Sequence, residues 1–340
     1  MKRVGLPRPD PISGAPRHAV LMNSSDEHSS ERRALTARAP RNGLIGAECQ
    51  ALTGGRPDLD GVANCDNIAR ISRAAFVHCG IAVLARASTL DELVERVRER
   101  WEDEMDADRF RVDVHDPAKR CSTSTLETAT AFANVIPFGP DLRDPLHRFL
   151  VIAEEDGFTF GAVVAEADGS YRNHDKKPWT TSSSLDSRFA RALVNLVPDA
   201  KSVLDPCCGA GSIVLEAASL GLGAFGVDWK PALVGMTREN LAHFGYDGGV
   251  ELADSRTHIQ TADAVVTDLP YGNAIESDEY AIRAILEQSA GQAAAGVFVG
   301  PADISTWLVS AGYTDIEVLT VLKRRGFTRW VHVARSRHAS

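Results

Sequence analysis

Residues 203–217 read VLDPCCGAGSIVLEA, a short apolar run followed by a glycine-containing turn and a helical stretch. Asp205 ends the apolar run, and Gly209 and Gly211 lie in the turn. Glycines at a strand–helix turn let the backbone approach a ligand closely, and the N-terminus of the helix then faces the ligand's polar groups. The stretch therefore predicts the first strand and helix of a ligand-binding α/β fold.

Three kinds of nucleotide site share this outline. A P-loop requires Gly-Lys-Ser/Thr, and no lysine follows the glycines here. A dinucleotide fingerprint requires a third glycine where this chain has Val214, and it would set a pyrophosphate against the carboxylate of Asp205. An acid favours a cationic ligand, and S-adenosylmethionine carries an amino group and a sulfonium. We therefore predict S-adenosyl-L-methionine as the cofactor, with its methionine end at this turn.

The rest of the C-terminal half alternates between strand-like and helical stretches. The apolar runs are SVLD, AFGVD, VELAD, ADAVVTD and AGVFVG, all between residues 202 and 300. This alternation predicts a parallel, doubly wound sheet. Two further runs, 315–325 and 328–336, are separated by two residues and predict an antiparallel hairpin. The predicted fold class is α/β: a class I methyltransferase, Rossmann-like doubly wound sheet with a C-terminal antiparallel hairpin.

Aspartates also follow the second and third strands of this pattern. Asp228 is suited to accept hydrogen bonds from ribose hydroxyls, and Asp254 to accept one from an adenine amino group. A single aspartate at such a place is often a helix N-cap. Acids at three successive strand ends favour one ligand instead. The predicted cofactor-binding residues are Asp205, Pro206, Gly209, Gly211, Asp228 and Asp254.

Residues 267–272, TDLPYG, follow the fourth strand, at the sheet edge where doubly wound folds bind ligands. Methylation of an exocyclic amine is helped when a carboxylate and a carbonyl accept its two N–H groups and orient the nitrogen lone pair. Asp268 offers the carboxylate, and Leu269 or Pro270 the carbonyl. Pro270 stiffens the turn, and the ring of Tyr271 offers a face to an unstacked base. These four residues are the predicted catalytic set; the stretch by itself also fits a tight turn with a surface tyrosine.

The motifs DPCCGAGSIVLEA, GVDWKPALVGMTRENL and VVTDLPYG, in this order, resemble the tRNA guanine-N2 methyltransferases with an N-terminal THUMP domain, and related RNA methylases. Residues 176–197 and 46–55 resemble upstream segments of the same family. The resemblance implies the cofactor and catalytic roles given above, and RNA as the partner, with tRNA first and rRNA second. Leu269 replaces a proline of the family's Asp-Pro-Pro-Tyr, although its carbonyl remains, and Cys207 replaces a more usual aromatic residue.

The N-terminal half divides into two predicted regions. Residues 1–42, rich in Pro, Ser and Arg, are predicted to be a disordered leader. Residues 43–177 are predicted to form a small α+β domain of the RNA-binding type, ferredoxin-like or abbreviated THUMP-like, because a full THUMP domain would not fit. Its predicted elements are a strand over 74–87, a helix over 88–101 with a capping box from Ser88 to Asp91, and a strand over 109–116. Residues 117–146 have no clear pattern, and 178–340 are the predicted methyltransferase domain.

Composition narrows the class of protein. Hydrophobic residues make up 44% and charged residues 24% of the 340 residues, as in globular proteins. No apolar stretch approaches the roughly 18 residues of a membrane span, and no secretory signal is present. The six cysteines show neither CxxC pairs nor zinc spacing. We predict a cytoplasmic protein with no membrane and no metal partner; the oligomeric state stays open.

The charge is unevenly distributed along the chain. The net charge is −9, yet residues 321–340 carry six Lys and Arg and no acid. Such a segment fits either an edge that faces a polyanion or a solvated terminal strand. The candidate RNA-binding residues are Lys323, Arg324, Arg325 and Arg329, which would contact phosphates.

The sequence thus supports a main hypothesis and two alternatives. The main hypothesis is an S-adenosylmethionine-dependent RNA methyltransferase that modifies the exocyclic N2 amine of guanosine, with tRNA as the first choice. The first alternative keeps the chemistry but changes the target to guanine N2 of rRNA or adenine N6 of DNA. The second is a non-catalytic RNA-binding protein with a relic cofactor fold.

Overall fold

The computed structural model of the chain describes residues 31–36, 42–101, 108–270, 279–324 and 327–336. The elements of its first half are β1 (Arg32–Thr36), α1 (Gly43–Thr53), β2 (Val62–Asn64), β3 (Val77–Ala87), α2 (Leu90–Arg100), β4 (Phe110–His115), α3 (Thr125–Ala133), β5 (His147–Glu154) and β6 (Gly157–Glu166). Those of the second half are α4 (Ser187–Asn195), β7 (Ser202–Asp205), α5 (Ser212–Ser219), β8 (Gly223–Asp228), α6 (Pro231–Phe244), β9 (Gly249–Leu252), β10 (Ala264–Asp268), α7 (Glu279–Gln292), β11 (Ala295–Gly300), α8 (Ser305–Ser310), β12 (Tyr313–Arg324) and β13 (Phe327–Ser336). The described residues form two compact units: 82–164, and 31–81 together with 165–336.

The larger unit contains a seven-stranded sheet in the order β12-β13-β11-β10-β7-β8-β9. The five strands from β11 to β9 in this order pair in parallel, whereas β13 is antiparallel to both β11 and β12. The predicted doubly wound sheet and its C-terminal hairpin are confirmed. The strand order reverses between β7 and β10, and such a switch point is where open α/β sheets bind ligands.

The central strands of this sheet are buried on both faces. Val203 and Leu204 of β7 belong to two different apolar clusters, as do Val297 and Phe298 of β11. Side chains alternate across a strand, and a parallel sheet covered by helices on both faces therefore needs continuous apolar runs. This requirement explains why the strands of the C-terminal half appear in the sequence as unbroken apolar segments.

Helix α1 packs into the core of the larger unit. Its residues Leu44 and Ile45 lie in the same buried cluster as Leu319 and Val321 of β12. The side chain of Asn42 caps the helix by accepting from the backbone N–H of Leu44, at 3.1 Å. Residues 31–81 thus belong to the same compact unit as residues 165–336. The predicted boundary between an N-terminal domain that ends at residue 177 and a methyltransferase domain that begins at residue 178 stays a prediction.

The unit of residues 82–164 has an α+β composition with an aromatic core. In it β4 and β5 pair in parallel, and β5 and β6 pair antiparallel. The rings of Phe149 and Phe160 stack at 5.4 Å between centroids, and the Trp101 ring meets that of Phe149 edge-on at 5.3 Å. Its identity as a ferredoxin-like or abbreviated THUMP-like domain stays a prediction.

Two local expectations need correction here. The N-cap of α2 is Thr89, whose side chain accepts from the backbone of Glu92, one residue later than the predicted capping box. Helix α3 lies in the segment that had no clear pattern, and it begins with a complete capping box between Ser124 and Glu127. The Ser-x-x-Glu spacing is the signal that sequence reasoning passed over.

The predicted leader is wrong for residues 32–36, because they form β1. This strand pairs antiparallel with β2, and Ala34, Leu35 and Thr36 are all at most 4% exposed. A short apolar strand inside a polar segment gives little sequence signal, since its partner supplies most of the stabilisation. Residues 1–30 and 37–41 of the predicted leader lie outside the described residues.

Candidate active site

A pocket of about 450 Å³ opens where strands β7, β8 and β10 end. Its volume lies within the range of small-molecule and cofactor sites. The predicted site residues that line it are Asp205, Pro206, Gly209, Asp228, Asp254, Asp268, Leu269 and Pro270. The fold therefore brings five of the six predicted cofactor residues, all except Gly211, and three of the four predicted catalytic residues to one cavity.

The two glycines after β7 have backbone conformations that favour glycine. Gly209 has a φ of +56° and Gly211 a φ of +81°, in the left-handed region that favours glycine. The backbone N–H of Gly209 donates to a carboxylate oxygen of Asp228 at 3.0 Å, and its carbonyl accepts from the hydroxyl of Thr237 at 2.8 Å. A Cβ at Gly211 would lie 2.4 Å from Cγ2 of Thr237. Helix α6 therefore packs so closely on the turn that only glycine fits at position 211.

The carboxyl group of Asp205 is buried, with 2% of the residue exposed. Its Oδ1 accepts from the hydroxyl of Thr267 at 2.7 Å and from the backbone N–H of Cys207 at 3.1 Å. Burial raises its pKa to about 7, and the charges of Asp268 and Asp228 act in the same direction. A cationic ligand beside this carboxyl would lower the pKa again, because it stabilises the ionised form. The environment of Asp205 thus fits the amino group of S-adenosylmethionine.

Asp228 ends β8 and forms the next side of the pocket. Besides Gly209, the backbone N–H of Lys230 donates to its carboxylate at 2.8 Å, and burial raises the pKa of the group. Trp229, which follows it, lines the pocket with 65% of the residue exposed. Sequence reasoning passed over this residue, although an aromatic ring directly after a strand-ending acid was a usable signal. An exposed ring at a cofactor pocket offers a stacking face for an adenine.

Asp254 lies two residues beyond the end of β9 and is engaged by a neighbour. The guanidinium of Arg256 donates to both of its carboxylate oxygens, at distances of 2.5 to 3.0 Å. These hydrogen bonds hold the pKa of Asp254 below its usual range. An adenine amino group that donates to Asp254 would therefore share this carboxylate with Arg256. The sequence does not predict the ion pair between Asp254 and Arg256.

The predicted catalytic turn begins at the end of β10, next to Asp205. Asp268 is half-buried, and the neighbouring Thr267 hydroxyl joins β10 to Asp205. The backbone N–H of Leu269 donates to the carbonyl of Val299 at 3.0 Å, which fixes the start of the turn. Tyr271 lies outside the described residues.

The predicted RNA-binding residues have different environments. Lys323 and Arg324 are the last residues of β12, and Arg325 lies outside the described residues. Arg329 is 3% exposed, and its guanidinium lies over the ring of Phe189 at 4.9 Å from the centroid. A cation that packs on an aromatic ring in the core cannot contact a phosphate at the surface. The prediction that Arg329 binds RNA is therefore wrong.

A buried ionic network supports the helix that follows the glycine turn. Glu216 of α5 accepts from Nε of Arg191 at 2.8 Å and lies 2.6 Å from Nδ1 of His174, and all three residues are at most 1% exposed. Arg191 also donates to the hydroxyl of Ser219 at 2.8 Å. Charges buried this deeply require partners. The network therefore fixes α5 against α4 and the 3₁₀ helix at Ser170–Lys176.

Among the described residues, no group of three or more His, Cys, Asp or Glu is arranged to hold a metal ion. Within the same residues, no helix has both the length and the apolar content needed to cross a bilayer.

The part of the chain that carries this pocket is similar to a known protein family. Residues 174–338 match the family model described as RMKL-like, methyltransferase domain. This part of the chain is thus similar to the methyltransferase domains of that family. All the residues that line the pocket, from Thr181 to Ile285, lie within the matched residues.

Two curated relatives are both tRNA (guanine(10)-N2)-dimethyltransferases. The tRNA (guanine(10)-N2)-dimethyltransferase of Methanothermobacter thermautotrophicus is 32% identical over 167 residues, which are 46% of this chain and 48% of that protein. The enzyme of the same description from Pyrococcus abyssi is 32% identical over 124 residues, 34% of this chain and 38% of that protein. The chain spans about half the length of the curated relatives it matches, or less.

A solved structure with a similar fold is TrmN from Thermus thermophilus. It matches with a TM-score of 0.51 and 18% sequence identity, over 90% of this chain and 99% of that one. At this identity the likeness concerns the fold alone. Together with the strand order and the match of the methyltransferase domain, it confirms the predicted class I methyltransferase fold.

Proposed function

We propose that this protein is an S-adenosylmethionine-dependent RNA methyltransferase that modifies the exocyclic N2 amine of guanosine, with tRNA as its substrate. The observation that carries the proposal is the shared pocket: the glycine turn, Asp205, Asp228 and the turn from Asp268 to Pro270 all line it. The sequence similarity to two tRNA (guanine(10)-N2)-dimethyltransferases supports guanine N2 and tRNA. A protein that modifies tRNA works where tRNA is, and a cytoplasmic location remains part of the proposal.

The cofactor would lie along the ends of β7, β8 and β9. In this proposal Asp205 faces its amino group, Asp228 accepts from its ribose hydroxyls, and the ring of Trp229 stacks on its adenine. When bound, S-adenosylmethionine supplies a methyl group activated by the adjacent sulfonium. Gly209 has no atom within 4 Å of its Cβ position, so it leaves open space in the pocket where a ligand can meet the backbone.

The target amine would lie at the end of β10. Asp268 accepts one N–H of the amine, and the carbonyl of Leu269 or Pro270 accepts the other. The lone pair of the nitrogen then turns out of conjugation with the ring, and the carboxylate stabilises the positive charge that develops on nitrogen. Asp268 is half-buried beside the buried Asp205. A carboxylate in such surroundings interacts with a developing charge more strongly than it would in water.

Transfer of a labelled methyl group to unmodified tRNA, rRNA and DNA tests this proposal. We expect label in tRNA with the unaltered protein, and a loss of about 10²- to 10³-fold with Asp268→Asn, the range found for one electrostatic catalytic group. Asp247→Asn serves as the matched control, because Asp247 is exposed and does not line the pocket. Label in rRNA or DNA alone would move the target to another nucleic acid. No label in any arm, with the cofactor still bound, would contradict the proposed activity.

A further inference from the structure

One face of the C-terminal hairpin carries exposed apolar side chains. On β12, Val318, Thr320 and Leu322 are exposed, the leucine to 54%. Trp330 of β13 pairs with Thr320 and is partly exposed. Because side chains alternate along a strand and paired residues share a face, these four residues lie on one face of the hairpin. We call them the hairpin strip.

The core does not account for the hairpin strip. The opposite face of the hairpin is the buried one, since Leu319 and Val321 belong to an apolar cluster and Arg329 packs on an aromatic ring there. On the face of the strip, His332 is fully buried, and its Nε2 accepts from the backbone N–H of Ile304 at 3.1 Å. The hairpin strip is therefore what remains uncovered beyond this contact. Single exposed apolar residues are ordinary, but a tryptophan with apolar neighbours on one face forms a patch.

The register of the sheet places Trp330 level with the predicted catalytic turn. Asp268 pairs with Val299 of β11, and Trp330 pairs with Gly300, the next residue of β11. Leu269 follows Asp268 as Gly300 follows Val299, so Leu269 and Trp330 lie at the same height on either side of β11. Neighbouring strands are about 4.8 Å apart, so the backbones of these two residues are about 10 Å apart.

The residue between them contributes no side chain. It is Gly300, and its missing Cβ would point to the face of the hairpin strip, because Gly300 pairs directly with Trp330. Apart from its chain neighbours, the described residues bring only the carbonyl oxygen of Ala302 within 4 Å of that Cβ position, at 3.7 Å. A substrate with one group at the turn can therefore lay the adjoining group toward Trp330 without meeting a side chain at Gly300.

The charge of the hairpin favours a polyanion as the occupant. Residues 320–330, TVLKRRGFTRW, include four basic residues and no acid. The acid on the loop beside the hairpin strip, Asp303, already accepts from the backbone N–H and the hydroxyl of Ser305, at 2.9 and 2.5 Å. Single-stranded nucleic acids are bound by this combination, in which bases stack on aromatic rings and cations contact the backbone.

We infer that the hairpin strip binds an unpaired base of the RNA next to the target nucleotide, with the ring of Trp330 as the stacking surface. This inference rests on the proposed function, because it places the neighbouring base while the target amine lies at Asp268. Every base has a face that can stack, so the strip contributes affinity and position with little preference for one base.

Binding of an unmodified tRNA transcript to the full chain tests the inference. We expect Trp330→Ala to weaken binding about 5- to 150-fold, the range for the loss of one stacked base. The slope of log affinity against log salt should stay unchanged, because a stacked base releases no counterions. Trp330→Phe keeps an aromatic face and should retain most of the affinity. Val309→Ala, at an exposed valine on α8, is the matched control and should bind as the unaltered protein does. Filter binding at several salt concentrations measures all four proteins.

Unchanged tRNA affinity in Trp330→Ala, with S-adenosylmethionine still bound, would overturn the inference. A salt slope reduced by about one would also overturn it, because the residue would then act through a phosphate contact. So would a change of oligomeric state in sedimentation with unchanged tRNA affinity, which would assign the strip to a protein contact.

Tryptophan fluorescence decides the case in which Trp330→Ala no longer binds the cofactor because its fold is disturbed. Saturating tRNA should quench part of the emission of the unaltered protein, and that part should be absent in Trp330→Phe. Equal quenching in the two proteins would overturn the inference. If the unaltered protein binds no RNA at all, the proposed function itself fails.

Discussion

At the level of single residues, the environment of Asp205 predicts a measurable dependence of stability on pH. Its pKa in the folded protein is about 7, against an ordinary value of 3.8, so the folded state holds this proton more tightly than the unfolded state does. The stability contributed by the group is fully present below pH 3.8 and is lost as the pH rises through 7. Asp205→Asn keeps an oxygen for Thr267 and Cys207 but cannot ionise.

We therefore expect the free energy of unfolding of Asp205→Asn, relative to the unaltered protein, to increase between pH 5 and pH 8 by about 1–3 kcal/mol. Denaturant unfolding without ligand at both pH values measures it. The exposed Asp247→Asn should show no such trend. A difference between Asp205→Asn and the unaltered protein that stays constant over this range would contradict the burial argument.

At the level of elements, the glycine turn and α6 predict different outcomes for two neighbouring substitutions. Both Gly209 and Gly211 have positive φ, so alanine costs about 1–2 kcal/mol of backbone strain at either position. At Gly211 the new Cβ also meets Thr237, whereas at Gly209 it enters open space in the pocket. Gly211→Ala should therefore reduce stability more, and Gly209→Ala should reduce cofactor affinity while costing less stability. Denaturant unfolding and ligand titration on both variants measure this, and the reverse ranking would contradict the packing.

The buried ionic network makes a second prediction for the elements around the turn. Glu216→Ala leaves the guanidinium of Arg191 buried beside no carboxylate, which costs about 3–5 kcal/mol of stability. Glu287→Ala, an exposed glutamate on α7, should change stability by less than about 0.5 kcal/mol. Unfolding in denaturant compares the two. Equal effects would mean that Glu216 contributes nothing specific to holding α5.

At the level of the whole molecule, the basic C-terminal hairpin predicts how RNA binding depends on salt. Each phosphate contact that is lost lowers the slope of log affinity against log salt by about one. We expect the double variant Lys323→Ala, Arg324→Ala to reduce the slope by about two for tRNA. Arg335→Ala, an exposed arginine near the other end of the hairpin, should leave the slope unchanged. Filter binding over a range of salt concentrations measures this slope. An unchanged slope in the double variant would show that Lys323 and Arg324 do not contact RNA.

The sequence was informative where one segment determines its own structure. Apolar runs that end in Asp205, Asp228 and Asp268 predict both the strands and the edge where the pocket forms, since parallel strands bring their carboxyl ends together. The pairing of Asp254 with Arg256 and the burial of Arg329 depend on side-chain conformation, which the order of residues does not reveal. The position of the backbone at Trp179 is hidden for a related reason, because the side chain that holds it, Asn240, lies 61 residues further along the chain.

The same contrast holds for elements of the N-terminal half. The strand over 109–116 alternates between apolar and polar residues and was predicted, and β4 lies at Phe110–His115. Helix α3 has a capping box but only a short apolar pattern, and β1 is stabilised by its pairing with β2. Elements whose stability comes from distant partners give weak local signals.

The most direct test of the account is the identity of the methylated nucleoside in unmodified tRNA. After incubation with the protein and S-adenosylmethionine, the tRNA is digested and its nucleosides are identified by mass spectrometry against standards. We expect N2-methylguanosine or N2,N2-dimethylguanosine, because in the proposed site the turn from Asp268 to Pro270 would accept the two hydrogens of an exocyclic amine. A methyl group on a ring nitrogen or carbon, at guanine or any other base, would contradict it, because such an atom offers no pair of N–H groups to that turn.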